Sequence, residues 1–321
     1  MKARLPKSRI RAKAVLNVLR ARGGSALMLV LWAIMFMGFA VMGVVEMMQF
    51  SIEENAIAAR EFRALHMAEC GVALGLHPQI KPGDPVLKQQ IGSDATIEVK
   101  ISSEGARFPI NYITDTGYRE AVYRLFVNWG MNPDDANVAA DSLADWADSD
   151  DNPRSQGAES EYYKGLGYYD FPRNKGFSSL EELLLVRGMD AVEKVKPDWR
   201  NYFTVYGDGL IDLNNASRDL LVAVCDVAET EADSLIRERN GPDGIPGTED
   251  DQKLSSTQAN KLLGLDPQKA TSLAARITTD HLTRRVESVA KVGESTYKVV
   301  VVARRQDDGS LSYIARMENQ E

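Results

Sequence analysis

The stretch SALMLVLWAIMFMGFAVMGVV, residues 25–45, runs for 21 residues without a charge. A helix of ~20 apolar residues crosses the ~30 Å hydrocarbon layer of a bilayer. The 24 residues before it carry eight Lys and Arg side chains and no acid. Because basic flanks stay in the cytoplasm, the sequence predicts one membrane span, with everything after residue 45 outside the cytoplasm.

The junction before this span, Gly23-Gly24-Ser25, is open to three interpretations. A secretory signal peptide has a shorter apolar core and a small-residue cleavage site after it, whereas this span runs into Glu46. An uncleaved anchor helix fits the hydropathy equally well. The third interpretation is a leader that is cut on the cytoplasmic side after Gly24, since glycine lets an extended backbone fit closely into a protease.

The helical pattern continues beyond the membrane surface. Residues 46–77 contain no proline and are rich in Ala, Met, Leu, Glu and Arg, which are good helix formers. Pro78 ends the run, so we expect one helix over residues 25–77. Its distal half has an apolar stripe spaced to face a globular domain, formed by Leu65, Ala68, Val72 and Leu76.

Strand patterns flank a long helical region. Period-two alternation predicts a strand at 95–102. Strand-like runs at 297–304 and 311–317 flank Asp308-Gly309, which predicts a hairpin between them, and 287–292 is a further candidate strand. Residues 108–279 favour helices, several with Ser, Thr or Asp caps, at 118–129, 133–146, 178–186, 217–224, 229–239 and 256–263. We therefore predict an α+β fold whose antiparallel sheet is interrupted by a large helical insertion.

A basic leader, a glycine, an apolar half-helix and an amphipathic half-helix together resemble the type IV pilins and the type II secretion pseudopilins. Most of that family has a Glu fifth after the cleaved Gly, but the fifth residue after Gly24 is Leu29. A lone carboxylate in a membrane is costly unless it is paired, so its absence removes one contact between subunits. That absence is typical of the K-type minor pseudopilins.

The insertion carries further K-type features. The run Asp145-Trp146-Ala147-Asp148-Ser149-Asp150 is similar to an acidic motif of that family, and Gly157-Ala158-Glu159 and paired tyrosines follow it. Residues 177–184 and 187–189 match its next segment. With them, the resemblance covers most of the chain.

The resemblance implies a pilin-like fold, a long N-terminal helix packed on a small antiparallel sheet, and five regions. These are a leader (1–24), the membrane half-helix (25–45), the periplasmic half-helix with the first strand (46–107), the insertion (108–279) and the closing strands (280–321).

It also implies a non-enzymatic minor pseudopilin at the pseudopilus tip, anchored in the inner membrane with its bulk in the periplasm. A prepilin peptidase would cut after Gly24 and methylate Ser25. The implied partners are the I-type and J-type minor pseudopilins, the major pseudopilin and the inner-membrane assembly platform.

A DNA-binding alternative stays open at this point. Residues 108–114 and 210–217 are similar to each other in sequence, and the second segment resembles the entry to a helix-hairpin-helix module. Such modules bind DNA through a glycine-containing hairpin, but residues 225–229 contain two acids and no glycine. The chain has a formal charge of −8, and removal of a leader of charge +8 leaves −16, which disfavours phosphate backbones. A membrane-anchored protein of DNA uptake is therefore the alternative function, and nucleic acid is an improbable partner.

Two acidic clusters are candidate calcium sites, because hard cations need several carboxylate and carbonyl oxygens on a tightly turning loop. The first is the Gly- and Pro-rich loop at 240–251, with Asp243, Glu249, Asp250 and Asp251 as candidate ligands. The second contributes Asp148 and Asp150. The alternative for the first is a solvated acidic loop, and for the second helix capping.

Catalysis has little support in the sequence. The three histidines, His66, His77 and His281, are far apart, and no nucleophile-elbow, P-loop or zinc-protease motif is present. Cys70 and Cys225 are the only thiols. An oxidising compartment permits a disulfide between them, although two buried free thiols are the more ordinary expectation.

Overall fold

The computed structural model describes residues 8–248, 250–306 and 308–320, and within these ranges the side chains from Ala26 to Asn319. Nine helices are described in these ranges: α1 (Ser8–Leu76), α2 (Thr116–Asn128), α3 (Pro133–Ala147), α4 (Ser160–Gly165), α5 (Met189–Val195), α6 (Arg218–Cys225), α7 (Glu229–Arg239), α8 (Ser256–Leu262) and α9 (Pro267–Leu273). The strands in the same ranges are β1 (Lys88–Ile91), β2 (Ala95–Ser103), β3 (Phe108–Pro109), β4 (Phe203–Thr204), β5 (Ile211–Asp212), β6 (Ile277–Thr278), β7 (Thr283–Val292), β8 (Ser295–Arg305) and β9 (Leu311–Gln320).

The chain forms two compact units that divide after Phe62. In the first unit, α1 already begins at Ser8, earlier than the predicted start at residue 25. Gly24 and Ser25 therefore lie in helical backbone, while leader residues 1–7 lie outside the described residues. The most apolar 18-residue window has a mean hydropathy of 2.4, and none of it is buried. This part of α1 is long and apolar enough to cross a membrane.

The second unit contains a five-stranded antiparallel sheet in the order β1-β2-β7-β8-β9. Strand β2 alternates buried and exposed residues from its first position, as its sequence pattern predicts. The predicted hairpin joins β8 to β9, and Gly309 takes a φ of +82° there, a conformation that favours glycine. The sheet confirms the predicted α+β class.

The last turns of α1 form the core of this sheet. The predicted stripe is confirmed, because Ala68, Val72 and Leu76 are buried against β2, β7 and β8, and Leu65 is partly buried. Arg284 on β7 donates a hydrogen bond to the Gly75 carbonyl at 2.9 Å, which satisfies one of the acceptors left open at the helix end. The helix ends at Leu76, close to the predicted end before Pro78.

Two glycines set the distance between α1 and the sheet. A Cβ atom on Gly71 would lie 2.1 Å from the Ser288 hydroxyl oxygen, and one on Gly75 would lie 2.4 Å from a methyl group of Val286. Val286 is fully buried, and its branched side chain has little rotamer freedom. Only a residue without a side chain therefore fits at position 75.

The insertion between β2 and β7 contains two copies of one local arrangement. In each copy a two-residue strand pairs in parallel with a second one far along the chain, β3 with β4 and β5 with β6. Helices α2 and α3 follow β3, and helices α6 and α7 follow β5. The sequence echoes at 108–114 and 210–217 lie at these equivalent positions.

One asparagine fastens each copy. The Asn111 amide donates to the carbonyls of Phe177 (3.1 Å) and Val205 (3.2 Å) and accepts from the Phe177 amide at 2.6 Å. Asn214 does the same with Leu254 and Thr279, at 3.0 Å for each bond. Each asparagine thus ties the loop after its strand to two distant segments.

A buried ionic group joins the insertion to the sheet. Glu104, fully buried, accepts a hydrogen bond from the Thr204 hydroxyl and lies 3.9 Å from Arg107 and 3.7 Å from Arg285. Burial would raise the pKa of Glu287, but its bonds to Arg285 and Lys298 lower that pKa to about 2. The charges offset one another, so the group is paired inside the protein.

A histidine makes a second joint. The buried His281, just before β7, contacts the Asp208 carboxylate at 2.9 Å through Nε2. Its Nδ1 accepts from the Thr283 amide at 3.1 Å, so Nε2 carries the proton and donates it to Asp208. Histidine here has a structural role.

Most predicted elements are confirmed, and one is wrong. Residues 178–186 do not form an α-helix, because the segment holds only a short 3-10 helix at Glu181–Leu185. There the Glu182 carboxylate turns back to accept from the Ser178 amide and hydroxyl, both at 2.9 Å. The short helices α4, α5 and α9 were not predicted, since six or seven residues give too little periodicity.

We expect Gly75→Val to lower the free energy of unfolding by about 3 kcal/mol, the upper end of the overpacking cost in a rigid core. The measurement is thermal or denaturant unfolding of the full chain in detergent micelles. Gly43→Val is the matched control, because a Cβ at Gly43 has no heavy atom within 4 Å. Equal stability of the two variants would contradict the close packing of helix and sheet.

Candidate functional site

Three carboxylates meet where α3 ends and α4 begins. Asp145 lies in the last turn of α3, Asp148 is the residue after it, and Glu159 precedes α4. One carboxylate oxygen of each lies within 4.8 Å of the others. Asp145 and Glu159 are buried, and Asp148 is partly buried.

The end of α3 is fixed by the core beneath it. Asn132 caps the first turn, and Pro133 occupies the first helical position, where proline is tolerated. Trp146 is fully buried, with its ring 5.4 Å from Tyr163 and 5.0 Å from Phe171. Its indole N–H donates to Glu182 at 3.2 Å. This packing points Asp145 and Asp148 toward the loop at 149–158.

That loop closes over Asp145. The Arg154 amide donates to the Asp145 carboxylate at 3.1 Å, and the Arg154 guanidinium contacts both Asp145 (2.7 Å) and Asp148 (2.5 Å). A Cβ on Gly157 would lie 1.7 Å from the Asp145 oxygen Oδ2, so only glycine lets the loop pass there. Burial raises the pKa of Asp145, and Arg154 opposes that shift.

Glu159 differs from the other two acids. Its side chain is buried, and among the described residues neither of its carboxylate oxygens has a hydrogen-bond partner or an ion pair. Burial, together with the charges of Asp145 and Asp148, raises the pKa of Glu159 to about 8. A buried carboxylate of this kind is costly without a positive charge. Glu159 also lines an open concavity of about 440 Å³, which gives access from solvent.

These residues fit a hard cation. Three carboxylates have oxygens close together, and one of them, Glu159, is buried without a partner among the described residues. Such an all-oxygen donor set suits calcium better than it suits softer metals. Asp145, Asp148 and Glu159 would hold the ion, and Arg154 would share Asp145 and Asp148 with it. A bound cation would supply the missing countercharge for Glu159 and tie α3 to α4.

The predicted ligand Asp150 lies apart from this cluster. Its carboxylate accepts from the amide and the side chain of Asn152, both at 2.8 Å, and these bonds lower its pKa. Asp148 is thus brought to the candidate site, whereas Asp150 fastens the loop beside it. Asp145 and Glu159 were not predicted as ligands. Glu159 comes 11 residues after Asp148 through an irregular loop, and sequence spacing gives no signal for that contact.

In the second predicted cluster, at 240–251, the described carboxylates accept hydrogen bonds from residues of the same loop. Asp243 accepts from the Ile245 amide (2.7 Å) and Asp251 from the Gly247 amide (2.6 Å). Asp250 accepts from the Thr248 hydroxyl (2.6 Å) and the Asp243 amide (3.1 Å), which lower its pKa. Glu249 lies outside the described residues. Within the described residues, these acids form no cluster as close as the one at Glu159.

The two thiols are not paired with each other. Cys70 is exposed on α1, contrary to the expectation that both thiols are buried, and Cys225 is buried in the insertion. Burial raises the pKa of Cys225 to about 12, so its thiol is protonated at neutral pH.

The hairpin at residues 225–229, which the DNA-binding alternative would use, is bonded within the protein. There the Lys269 ammonium donates a hydrogen bond to the Asp226 carbonyl at 2.6 Å.

Three comparisons with known proteins agree. Residues 106–198 match the family described as Type II secretion system (T2SS), protein K. The chain is 23% identical over 326 residues to the Type II secretion system protein K of Pseudomonas aeruginosa, covering 92% of this chain and 93% of that protein.

The fold is similar to a chain of the crystal structure of the GspK-GspI-GspJ complex from enterotoxigenic Escherichia coli. The TM-score is 0.58 at 14% identity, over 85% of this chain and 98% of that chain. The comparisons give the DNA-uptake alternative no support. The family match over residues 106–198, the relative of similar length and the shared fold all show that this chain is similar to type II secretion system protein K.

Proposed function

We propose that the chain is a minor pseudopilin at the tip of a type II secretion pseudopilus and acts as a structural, assembly-initiating subunit in protein export across the outer membrane. One observation carries this proposal: an apolar helix without any acid from residue 25 to residue 45 continues into the core of an antiparallel sheet. The role requires no catalysis, and the acids described above are understood as structural.

The absent acid and the insertion explain the tip position. A pseudopilin that carries a Glu fifth after the cleaved Gly can neutralise the amino terminus of an adjacent subunit, but this chain has Leu29 there. It therefore needs no subunit above it. The insertion, residues 104–282 between β2 and β7, adds bulk that would block further addition.

The I-type and J-type minor pseudopilins are the proposed direct partners. The fold similarity to a chain of the GspK-GspI-GspJ complex supports this assignment. The exposed apolar side chains of α1 offer the contact surface, including Phe50 (64% exposed), Ile52 (66%) and Ile57 (40%). The major pseudopilin and the inner-membrane assembly platform complete the proposed set.

Processing and location follow from the same proposal. A prepilin peptidase cuts after Gly24 and methylates the new terminus at Ser25. The chain spans the inner membrane once and exposes its second unit to the periplasm. The basic leader before Gly24 and the exposed apolar part of α1 support this arrangement.

Co-purification from detergent tests the partner assignment. We expect the chain to co-elute with I-type and J-type subunits, and Phe50→Asp with Ile57→Asp to weaken the complex at least 10-fold, since two buried charges oppose apolar packing. Ser51→Asp with Ala58→Asp is the control, because it adds the same charges at the same spacing without removing large apolar side chains. A chain that elutes alone, or control and test variants that behave alike, would refute the assignment.

We also propose that calcium binds at Asp145, Asp148 and Glu159 and has a structural role. The support is the buried Glu159 carboxylate, which lacks a partner among the described residues. A second calcium site at Asp243, Glu249, Asp250 and Asp251 is part of the proposal, with Asp150 as an outer contributor to the first site. The loop at 240–251 would then be ordered by the ion as well as by its own hydrogen bonds.

Calcium titration of the EDTA-treated full chain tests the first site. A ligand at 100 times its Kd stabilises the folded state by about 2.7 kcal/mol, so millimolar calcium should raise Tm by roughly 5–10 °C. Glu159→Gln should abolish the part of this shift that comes from the first site, and Glu161→Gln, exposed and two residues away, should keep it. The variant Asp243→Asn with Asp250→Asn measures the second site separately.

The pH dependence gives an independent check on Glu159. Its pKa is raised in the folded state to about 8 from 4.5, so the stability tied to its protonated form is complete below pH 4.5 and is lost as the pH rises through 8. Without calcium, Glu159→Gln should therefore be more stable than the unmodified chain above pH 8, and calcium should stabilise the unmodified chain most there. An identical calcium shift in both proteins would contradict the site.

A further inference from the structure

Arg154 contacts the candidate calcium site through its backbone and through its side chain. The amide donates to the Asp145 carboxylate at 3.1 Å, and the guanidinium lies 2.7 Å from Asp145 and 2.5 Å from Asp148. Burial lowers the pKa of Arg154, but the bonds to Asp148 and Asp145 outweigh burial and raise it. The guanidinium is thus a countercharge that two of the three acids share, and with 31% of its side chain exposed it also borders solvent.

The third acid, Glu159, lacks such a countercharge. Among the described residues, neither of its carboxylate oxygens has a hydrogen-bond partner, although one of them lies within 4.8 Å of an oxygen from each of the other two acids. The three carboxylates carry three negative charges when all are ionised, and Arg154 supplies one positive charge, so a charge of −2 remains. A divalent cation balances that remainder.

The other arginines of this region are bonded elsewhere. The Arg187 guanidinium donates to the Gly157 carbonyl at 3.1 Å and lies over the Tyr162 ring at 4.8 Å. Arg173 pairs with Glu182 at 3.4 Å. Within the described residues, neither guanidinium forms an ion pair with the three carboxylates of the site. The charge that acts directly on those carboxylates is therefore that of Arg154.

Calcium and this guanidinium would use the same oxygens. A calcium ion needs oxygens at about 2.3–2.6 Å, and Arg154 already bonds to both oxygens of Asp145 and to one of Asp148. Like charges a few ångströms apart repel, even where water screens them in part. Arg154 therefore lowers the affinity for the ion, and the ion weakens the Arg154 bonds by the same free energy, because coupling between two bound groups is reciprocal.

We propose that the Arg154 guanidinium is a built-in competitor of calcium at Asp145 and Asp148. It supplies part of the countercharge while the ion is absent, and it raises the calcium concentration at which the site fills. The inference rests on the calcium site proposed above and names the residue that regulates its affinity. The site then stays assembled in both states and responds to a change in calcium concentration.

The charge of Arg154 can be removed without releasing the loop at 149–158. The Arg154 amide that bonds to Asp145 belongs to the backbone and persists in any variant other than proline. The Arg187 guanidinium also holds this loop, through the Gly157 carbonyl. Replacement of Arg154 by Gln therefore separates the effect of the charge from the effect of loop closure.

Calorimetric titration of the EDTA-treated full chain in detergent micelles measures the calcium affinity. Every protein carries Asp243→Asn with Asp250→Asn, so that the second proposed site does not contribute. Arg154→Gln should bind calcium at least 10-fold more tightly, because a positive charge next to the ion is removed. Arg154→Lys retains a positive charge and should keep the weaker binding. Lys164→Gln is the matched control, because it removes an exposed positive charge on α4 and should leave the affinity unchanged.

Thermal unfolding gives a second readout, which a purely structural role of Arg154 would not produce. Without calcium, Arg154→Gln should have a lower Tm than the protein with Arg154, because Asp145 and Asp148 lose their countercharge. Calcium should then raise the Tm of Arg154→Gln by the larger amount, since the bound ion stabilises the folded state in proportion to its affinity. A residue that merely closes the loop would lower both the stability and the calcium affinity when it is replaced.

Calcium affinity that is equal or weaker in Arg154→Gln would overturn the inference and leave the calcium site itself in place. A gain of the same size in Lys164→Gln would overturn it as well, since any nearby charge would then have the same effect. Absence of calcium binding in every protein would overturn the calcium site proposed above, and the inference with it.

Discussion

Helix α1 combines an exposed apolar segment with a segment that packs in the core of a sheet. Over residues 26–45 the side chains of α1 are exposed and uncharged, and only lipid or apolar neighbours can accommodate them. Over its last turns the same helix is the core of the sheet, where Gly75 lies so close to Val286 that no side chain fits. The exposed apolar segment and the segment packed on the sheet are thus parts of a single helix, and the sheet is arranged around its final turns.

The sheet can carry a large insertion because the chain leaves and re-enters it at neighbouring strands. Strand β2 pairs with β7, and the buried Glu104 and His281 fasten the insertion on either side of that pair. Inside the insertion, Asn111 and Asn214 repeat the same set of backbone hydrogen bonds. An insertion of this size therefore keeps a defined position on a small sheet.

The sequence predicts the parts of the fold that have a long local period. The alternation of β2 and the apolar spacing of α3 and α7 predict the observed elements within one or two residues. The sequence does not predict contacts between residues that an irregular loop or distant chain segments bring together. Glu159 reaches Asp145 only because Arg154 and Gly157 fold the intervening loop over the helix end. Likewise, Gly75 and Val286 are brought together across 210 intervening residues, and the Asp150 carboxylate bonds to Asn152 instead of joining the cluster.

The assignment of α1 as a pseudopilin helix depends most on the identity of the mature amino terminus. Intact mass measurement of the chain, extracted from membranes of cells with an active prepilin peptidase, tests it most directly. We predict a polypeptide that lacks the first 24 residues and carries one methyl group on Ser25. A mature chain that retains those residues would contradict the assignment of α1 as a pseudopilin helix.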